Sequence, residues 1–344
     1  MSVDEPQYRR AKLRVRPFAY SAGVSHRACS RPLQRVVADF GADLPFVQVM
    51  DKLVEHYGIV LGESTIRRLT EEHARRIFEA AELAAPWPQG HNRSAVVVAE
   101  MDGGMIPVVV PDATSADRRK GKSLQWKEAK LCLAHPQDSK TLAYGGTVQG
   151  DVDAAGLQLL RCAQSAGFGK GTRIHAVGDG ARWIADQVED QFGTQGSYLL
   201  DFYHVCDYLS AAAKAIVPGE PERGVWFDEQ KNRLKTGRAN ELFQALLPHV
   251  EPPAVDDCDA PVRQCYRYLS NRRTNLHYQS TLEQKLPIGS GEIESAHRYI
   301  VQQRLKRPGS WWLVENAEYM LALRINRANR QWNAYWNSDL KEAA

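Results

Sequence analysis

The feature that most constrains this chain is a change of hydrophobic periodicity near residue 94, where helical spacing gives way to β-branched runs. Residues 94–101 form one such run, ending in Asp102-Gly103-Gly104, and residues 105–110 form a second. Together they predict a hairpin that turns at the Asp-Gly-Gly. Residues 127–134 alternate as a third strand, preceded by the basic loop carrying Arg118, Arg119, Lys120 and Lys122, and residues 142–149 extend or pair with it. Thereafter helix and strand alternate: a helix over 154–166, a strand over 173–178 ending in Asp179-Gly180, a helix over 181–191, and a strand over 197–200 ending in Asp201. A strand cluster followed by such alternation implies an α/β fold, a mixed sheet covered by helices.

Both flanks are helical. After Ser30 and Pro32, residues Leu33, Val36, Val37 and Phe40 share one face until Gly41 stops the run. Phe46, Val49, Met50, Leu53, Val54 and Tyr57 repeat the pattern up to Gly58. Ser64 can cap a third helix, with Ile66, Leu69, His73 and Ile77 facing inward and Arg67, Arg68, Arg75 and Arg76 facing out. Two helices joined by a short turn, with Thr65, Arg67 and Arg68 in the first turn of the second, fit a helix-turn-helix. A helical hairpin with a solvated basic face fits the same spacing. The Pro- and Gly-rich stretch 85–93 reads as a linker. Residues 205–285 read almost wholly helical, broken at Pro218, Pro221, Pro248, Pro252, Pro253 and Pro261. A last helix begins near Ser290 and passes Arg304, Lys306, Trp311 and Trp312 before a further helical stretch to Trp336.

Composition narrows the function classes. A chain of 344 residues holds about two domains at roughly 150 residues each. With 43% apolar and 25% charged residues it is neither disordered nor collagen-like. No internal period points to a solenoid or propeller. The apolar runs 96–99 and 106–110 fall far short of the roughly 18 residues of a membrane helix. Arg9, Arg10, Lys12, Arg14 and Arg16 have no apolar block behind them, so no secretory signal is expected and the cytosol is the expected compartment. Cysteines at 29, 132, 162, 206, 258 and 265 form no Cys-x-x-Cys pair and read as reduced, mostly buried thiols. Net charge is only +3, but residues 1–40 hold eight Lys/Arg against three Asp/Glu, so an acidic partner is expected at that end.

Asp102 and Asp179 each close an apolar strand and precede a glycine. That places a carboxylate at the carboxyl edge of a sheet, where open α/β folds build their sites. Asp-Gly is also among the commonest turn dipeptides, so either residue alone is explained by a turn. Glu294 follows Gly289-Ser290-Gly291 near a helix start and shares a face with Arg298, Val301 and Leu305. The helix dipole favours an acid there in any case, and Glu292 fills that role equally well. Three carboxylates from two strand ends and a helix suit two Mg²⁺ ions, which take oxygen ligands and leave positions open for phosphate and water. Two such ions about 4 Å apart activate an attacking oxygen and stabilise the leaving one.

The order of these signals carries a resemblance. Asp102-Gly, Gly178-Asp179-Gly180-Ala181 and Asp201-Phe202-Tyr203-His204 precede a helical stretch and Tyr268-Leu269-Ser270-Asn271-Arg272. The block Ile288-Gly289-Ser290-Gly291-Glu292-Ile293-Glu294-Ser295 then leads to Gln303-Arg304-Leu305-Lys306 and Trp311-Trp312. Over residues 30–340 this pattern resembles bacterial insertion-sequence transposases of the DDE class, in particular the ISKra group, related to Mutator-like transposases. The resemblance implies an RNase H-like mixed sheet with helices, interrupted by an all-helical insertion and preceded by the helix-turn-helix region. The expected organisation is a basic arm over 1–29, a DNA-binding region over 30–84, the linker 85–93, the first part of the catalytic core over 94–215, the insertion over 216–285 and closing helices over 286–344.

It further implies that Asp102, Asp179 and Glu294 are the catalytic and metal-binding residues, with two Mg²⁺ ions for which Mn²⁺ can substitute. The partner implied is double-stranded DNA, as element terminal repeats and as target, bound by a homodimer or larger assembly at the bacterial nucleoid. His204, in an Asp-x-x-His block similar to one in Mutator-like transposases, would orient DNA. A capping Asp201 with a packed His204 accounts for the same residues. Arg118, Arg119, Lys120, Lys122, Arg304, Lys306 and Arg307 are candidates for phosphate contacts, with Thr65, Arg67 and Arg68 on the reading helix. Trp311 and Trp312 suit stacking on unpaired bases, although at least one of them is expected in the core. Larger relatives carry more sequence ahead of this region, often with paired cysteines, where this chain has Cys29 alone. Two other classes keep part of the pattern: a domesticated DNA-binding regulator without catalysis, and an RNase H-like nuclease without strand transfer.

Overall fold

The structure, a computed structural model, describes residues 6–10, 13–21, 29–83, 94–111 and 121–342. In chain order, β1 (Tyr8–Arg10) and β2 (Leu13–Val15) form an antiparallel pair and lead into α1 (Pro17–Ser21), α2 (Arg31–Asp43), α3 (Phe46–Tyr57) and α4 (Glu63–Leu83). Then come β3 (Val96–Pro111), β4 (Lys122–Pro136), β5 (Ala143–Thr147), α5 (Val152–Ser165), β6 (Arg173–Gly178), α6 (Arg182–Phe192) and β7 (Gly196–Leu200). Five helices follow: α7 (Phe202–Ile216), α8 (Glu222–Lys235), α9 (Ala239–Leu246), α10 (Pro261–Ser270) and α11 (Tyr278–Glu283). The chain closes with α12 (Gly291–Ala296), a π-helical turn (His297–Gln302), α13 (Gln303–Leu305), β8 (Trp312–Leu313), α14 (Val314–Ala328) and α15 (Trp332–Glu342).

The sheet has the order β5-β4-β3-β6-β7, with β8 beside β3. β5 runs antiparallel to β4, whereas β6 is parallel to β3 and β7 parallel to β6. This is the mixed sheet with helices that the sequence leads one to expect. The linker 85–93, and with it Arg118, Arg119 and Lys120, lies outside the described residues.

The chain divides into two compact units. One comprises residues 87–104 and 128–297, the other residues 1–86, 105–127 and 298–344. In the first of these, period-two alternation sorts the sheet residues. Val97, Ala99 and Met101 of β3 and Ile174 and Ala176 of β6 join Leu159 and Cys162 of α5 and Ile184 and Val188 of α6 in one buried cluster. Val177 faces the other way, into a second cluster built on Phe202, Val205 and Leu209 of α7, Leu234, Leu242, Val262, Leu269 and Tyr278. The unit is thus a sheet with helices on both faces. In the other unit Val37, Val49, Leu53, Ile66 and Leu69 form the core where α2, α3 and α4 meet. There the last carbonyls of α2 receive arginines: Arg304 Nε donates to Gly41 O at 3.0 Å, Arg307 to Asp43 O at 3.4 Å, and Arg324 to Ala42 O and Asp43 Oδ1.

Four local expectations are corrected. The hairpin at residues 102–104 does not form, because β3 runs unbroken from Val96 to Pro111. Its glycines serve close approach: a Cβ on Gly103 would lie 2.2 Å from Glu128 Oε1, and one on Gly104 2.8 Å from His297 Nδ1. Gly41 does not stop α2, which continues to Asp43. Ser64 is not the cap of α4, which already includes Glu63. The last helix is interrupted: Trp311 is outside any helix and Trp312 lies in β8, buried at 6% exposure as expected for one of the two.

Gly41 marks a close helix contact, since its Cβ would meet Thr70 Oγ1 at 2.3 Å while that hydroxyl donates to Ile66 O. Gly41→Ala is expected to cost about 1–3 kcal/mol through overpacking, read as a lowered melting temperature. Adding Thr70→Ala is expected to recover most of the loss in a double-mutant cycle.

Candidate active site

The parallel register pairs Val98 with His175 and Glu100 with Val177. Two residues further on, Asp102 and Asp179 therefore stand abreast on adjacent strands, on the sheet face opposite α5 and α6. Asp102 is within β3 rather than at its end, whereas Asp179 immediately follows β6. Asp102 Oδ1 accepts from the Gly103 amide at 2.7 Å, and His297 Nε2 lies 3.1 Å from Asp102 O and 3.6 Å from Oδ2. Burial pushes the Asp102 carboxyl above its ordinary range; His297 and the Gly103 amide oppose the shift, and the charges of Asp179 and Glu128 add to it.

The second carboxylate sits on a clamped turn. Asp179 Oδ1 accepts from the Ala181 amide at 2.9 Å, and its carbonyl accepts from Tyr268 Oη at 2.6 Å. Gly180, at φ +90°, donates to Tyr198 Oη at 3.0 Å, and its carbonyl accepts from Arg272 Nε at 2.6 Å. The Arg272 guanidinium stacks 4.3 Å from the Tyr268 ring centre. Tyr268 of α10 and Arg272 just beyond it, with Tyr198 of β7, thus hold the Asp179-Gly180 backbone, which gives the Tyr268-to-Arg272 block a structural purpose.

Asp201 does what the capping reading describes. Its Oδ1 accepts from the amides of Tyr203 and His204 at 2.6 and 2.9 Å, starting α7. Its Oδ2 accepts from the Ser290 amide and hydroxyl at 2.6 and 2.5 Å. The His204 ring packs against Tyr208 and Tyr268. Next along the chain, the Ile293 amide donates to Glu100 Oε2 at 2.8 Å, docking α12 on β3. Burial pushes the Glu100 carboxyl up to about 9, reinforced by Glu292 and Asp201, so it is a neutral acid, its Oε1 buried without a hydrogen-bond partner among the described residues.

Glu294 is exposed on α12 and three residues ahead of the buried His297. It does not share a face with Val301 and Leu305, which are buried while Glu294 and Arg298 are exposed, because the π-helical turn shifts the phase. Among the described residues no three His, Cys, Asp or Glu side chains converge as a metal cluster. The structure brings Asp102 and Asp179 abreast, with His297 and Glu128 near Asp102, and Glu294 stands exposed on α12.

Of the basic candidates, Arg67 and Arg68 are exposed, in the second rather than the first turn of α4 because the helix begins at Glu63, and Thr65 is half-buried; Arg68 pairs with Glu72 at 3.4 Å. Lys122 and Lys306 are exposed, and Lys306 lies 5.8 Å from the Trp126 ring centre. Arg307 is half-buried, and Arg304 is buried at 2% exposure. No described helix is long and apolar enough to cross a membrane.

Comparison with known proteins adds a likeness of structure. No family model matches the chain, and no curated protein does. Among solved structures, the Drosophila P element transposase strand transfer complex matches over 94% of this chain and 84% of that one, at 9% identity and a TM-score of 0.32.

Sequence reasoning did not single out His297, Glu100, Glu128 or Tyr198. Two had a signal: Glu100 lies two residues before Asp102 on the same strand face, and His297 lies three residues after Glu294. The Glu100 carboxyl yields a pH test. The folded state keeps its proton up to about 9 while the unfolded chain loses it near 4.5. Stability from this group is therefore full below the lower value and is lost as pH rises through the upper one. In Glu100→Gln the amide oxygen can still accept from Ile293, and the side chain no longer titrates. The variant's melting temperature is expected to fall less than the wild type's between about pH 5 and about pH 8.

Proposed function

We propose that this chain is a DDE-type DNA transposase, of the ISKra-like group and related to Mutator-like transposases, built on an RNase H-like core. The observation that carries the reading is the pair Asp102 and Asp179, abreast on adjacent parallel strands of a mixed sheet. Helices α8–α11, between Asp201 and α12, support reading this stretch as the helical insertion.

The donor chemistry fits a hard cation. Mg²⁺ is bound through one or two carboxylates and completes its shell with waters and substrate phosphate oxygens. A cation at Asp102 and Asp179 would relieve the mutual repulsion of these carboxylates and Glu128. Glu294 is the proposed third ligand, with Glu292 placed beside Glu100 instead. Two bound Mg²⁺ ions, or Mn²⁺, would supply Lewis-acid activation of a water or a 3′ hydroxyl and stabilise the departing oxygen.

The protein's part is positioning. The Gly103 amide and His297 orient Asp102, and the Ala181 amide orients Asp179 on a turn held by Tyr198, Tyr268 and Arg272. Asp201 and Glu100 fix the start of α12 and with it Glu294. Arg67, Arg68, Lys122 and Lys306 are exposed and available to DNA phosphates, which would set affinity and its salt dependence more than sequence choice. Synapsis of two element ends calls for a homodimer or larger assembly on double-stranded DNA at the nucleoid.

The test is Mg²⁺- or Mn²⁺-dependent cleavage and joining of DNA carrying the element's flanking repeats. Asp102→Asn and Asp179→Asn are each expected to lower the rate by about 10²–10³-fold or more while DNA binding persists. Glu294→Gln is expected to behave likewise and Glu292→Gln to retain activity. Full activity in Asp102→Asn would overturn the assignment. Hydrolysis without joining would make the protein a nuclease, and binding without cutting in either metal a regulator.

A further inference from the structure

The unit formed by residues 1–86, 105–127 and 298–344 carries a half-open cavity of about 820 Å³. That lies within the range of small-molecule sites. Its wall contains a cation that no described carboxylate pairs with. The Arg304 side chain, 2% exposed, lies between the rings of Phe46 and Trp312, 4.8 and 4.7 Å from their centres. Its Nε is satisfied by Gly41 O, but Nη2 is buried without a hydrogen-bond partner, as is Nε1 of Trp312 beside it. Among the described residues no carboxylate forms an ion pair with Arg304; the nearby Glu71 is engaged by Asn316 Nδ2 at 3.0 Å.

Burial lowers the Arg304 guanidinium to about 10, with Arg324 and Arg307 adding to the shift, so it stays charged at neutral pH. A buried charge without a partner costs free energy, and an apolar side chain of similar volume would serve packing better. Both unpartnered groups are donors only, so what they lack is an acceptor, and the local charge favours an anion.

The remaining lining narrows the anion. Arg67 and Lys122 bring two more cations, and Glu63 and Glu71 bring two carboxylates, leaving three positive against two negative charges. A balance of one suits a single phosphodiester better than a polyphosphate. Trp311 lines the same cavity with 42% of its surface exposed, an open aromatic face of the kind on which bases stack.

We propose that this cavity takes one nucleotide, its phosphate directed to Arg304 and its base stacked on Trp311. The nucleotide comes as an unpaired residue of a DNA strand or as a free mononucleotide. The chemistry of the site does not depend on the carboxylate pair.

Fluorescence of 2-aminopurine tests it with the full chain. The probes are 2-aminopurine deoxynucleoside monophosphate, a duplex with one unpaired 2-aminopurine at an overhang, and the same duplex fully paired. The overhang probe is expected to be quenched on binding and the paired duplex not. In Trp311→Ala, an exposed position whose fold is verified by an unchanged melting temperature, quenching is lost and overhang affinity falls about five- to hundredfold, the worth of one stacked base. Lys122→Ala lowers the salt slope by about one. Trp311-dependent quenching of the mononucleotide alone assigns the free nucleotide as the source. Quenching undiminished in Trp311→Ala, equal quenching of the paired duplex, or none with any probe overturns the proposal. Asp102→Asn is expected to quench as wild type does, so a failure of cutting and a failure of this site are read separately.

Discussion

One buried carboxylate holds together segments that lie far apart in the chain. Asp201, 2% exposed, accepts from two amides that open α7 and from the amide and hydroxyl of Ser290, 89 residues later. A buried charge is tolerable only when its lone pairs are filled, and here four donors fill them. Hydrogen bonds to a charged group each contribute about 1.5–3 kcal/mol, so this anchor can fix where the chain returns after helices α8–α11. The return matters because α12 begins one residue after Ser290, and everything proposed for Glu294 depends on where that short helix is seated.

The second seat is Glu100, and the two anchors are coupled. Burial raises the Glu100 carboxyl most, and Glu292 and Asp201 add to it, so the convergence of acids that serves the candidate site reinforces its protonation. Placing Glu100, Asp102 and Asp179 on one sheet face breaks the apolar rule that the opposite face obeys with Val97, Ala99, Met101, Ile174 and Ala176. Such local violations gather where a fold gives up stability for function. The clamp on Asp179-Gly180 has the same logic: three side chains are spent on two peptide groups because a carboxylate on an unsupported turn would wander.

What could be read from the sequence follows from the range of the interaction involved. Alternation over residues 94–101 and 173–178 gave the sheet strands, and the buried set Ile66, Leu69, His73 and Ile77 followed from helical spacing. The Asp102-Gly103-Gly104 hairpin failed because Asp-Gly is a local turn signal, whereas these glycines answer to Glu128 and His297, partners distant in sequence. Gly41 failed for the same reason, its neighbour being Thr70 on another helix. The phase of the closing helix was lost because a π-helical turn leaves no periodic trace. At the site, Asp102 and Asp179 were legible as strand-associated acids; His297 and Tyr198 were not, since only the folded register brings them to those carboxylates.

The basic residues show the limit most sharply. In sequence Arg304, Lys306 and Arg307 are equivalent neighbours; in the fold one is buried, one exposed and one half-buried. The difference comes from the C-terminus of α2, whose last carbonyls lack helical partners and carry the negative end of the helix dipole. Arg304, Arg307 and Arg324 all donate to Gly41, Ala42 or Asp43, and Arg327 pairs with Asp43 at 2.7 Å. A guanidinium suits the inner position because it can donate through Nε while its plane lies between two aromatic rings, which a lysine ammonium cannot do. The helix end thus accounts for one edge of Arg304. It leaves the other edge, Nη2, facing no acceptor, and that remainder distinguishes a structural cap from a wall prepared for an anion.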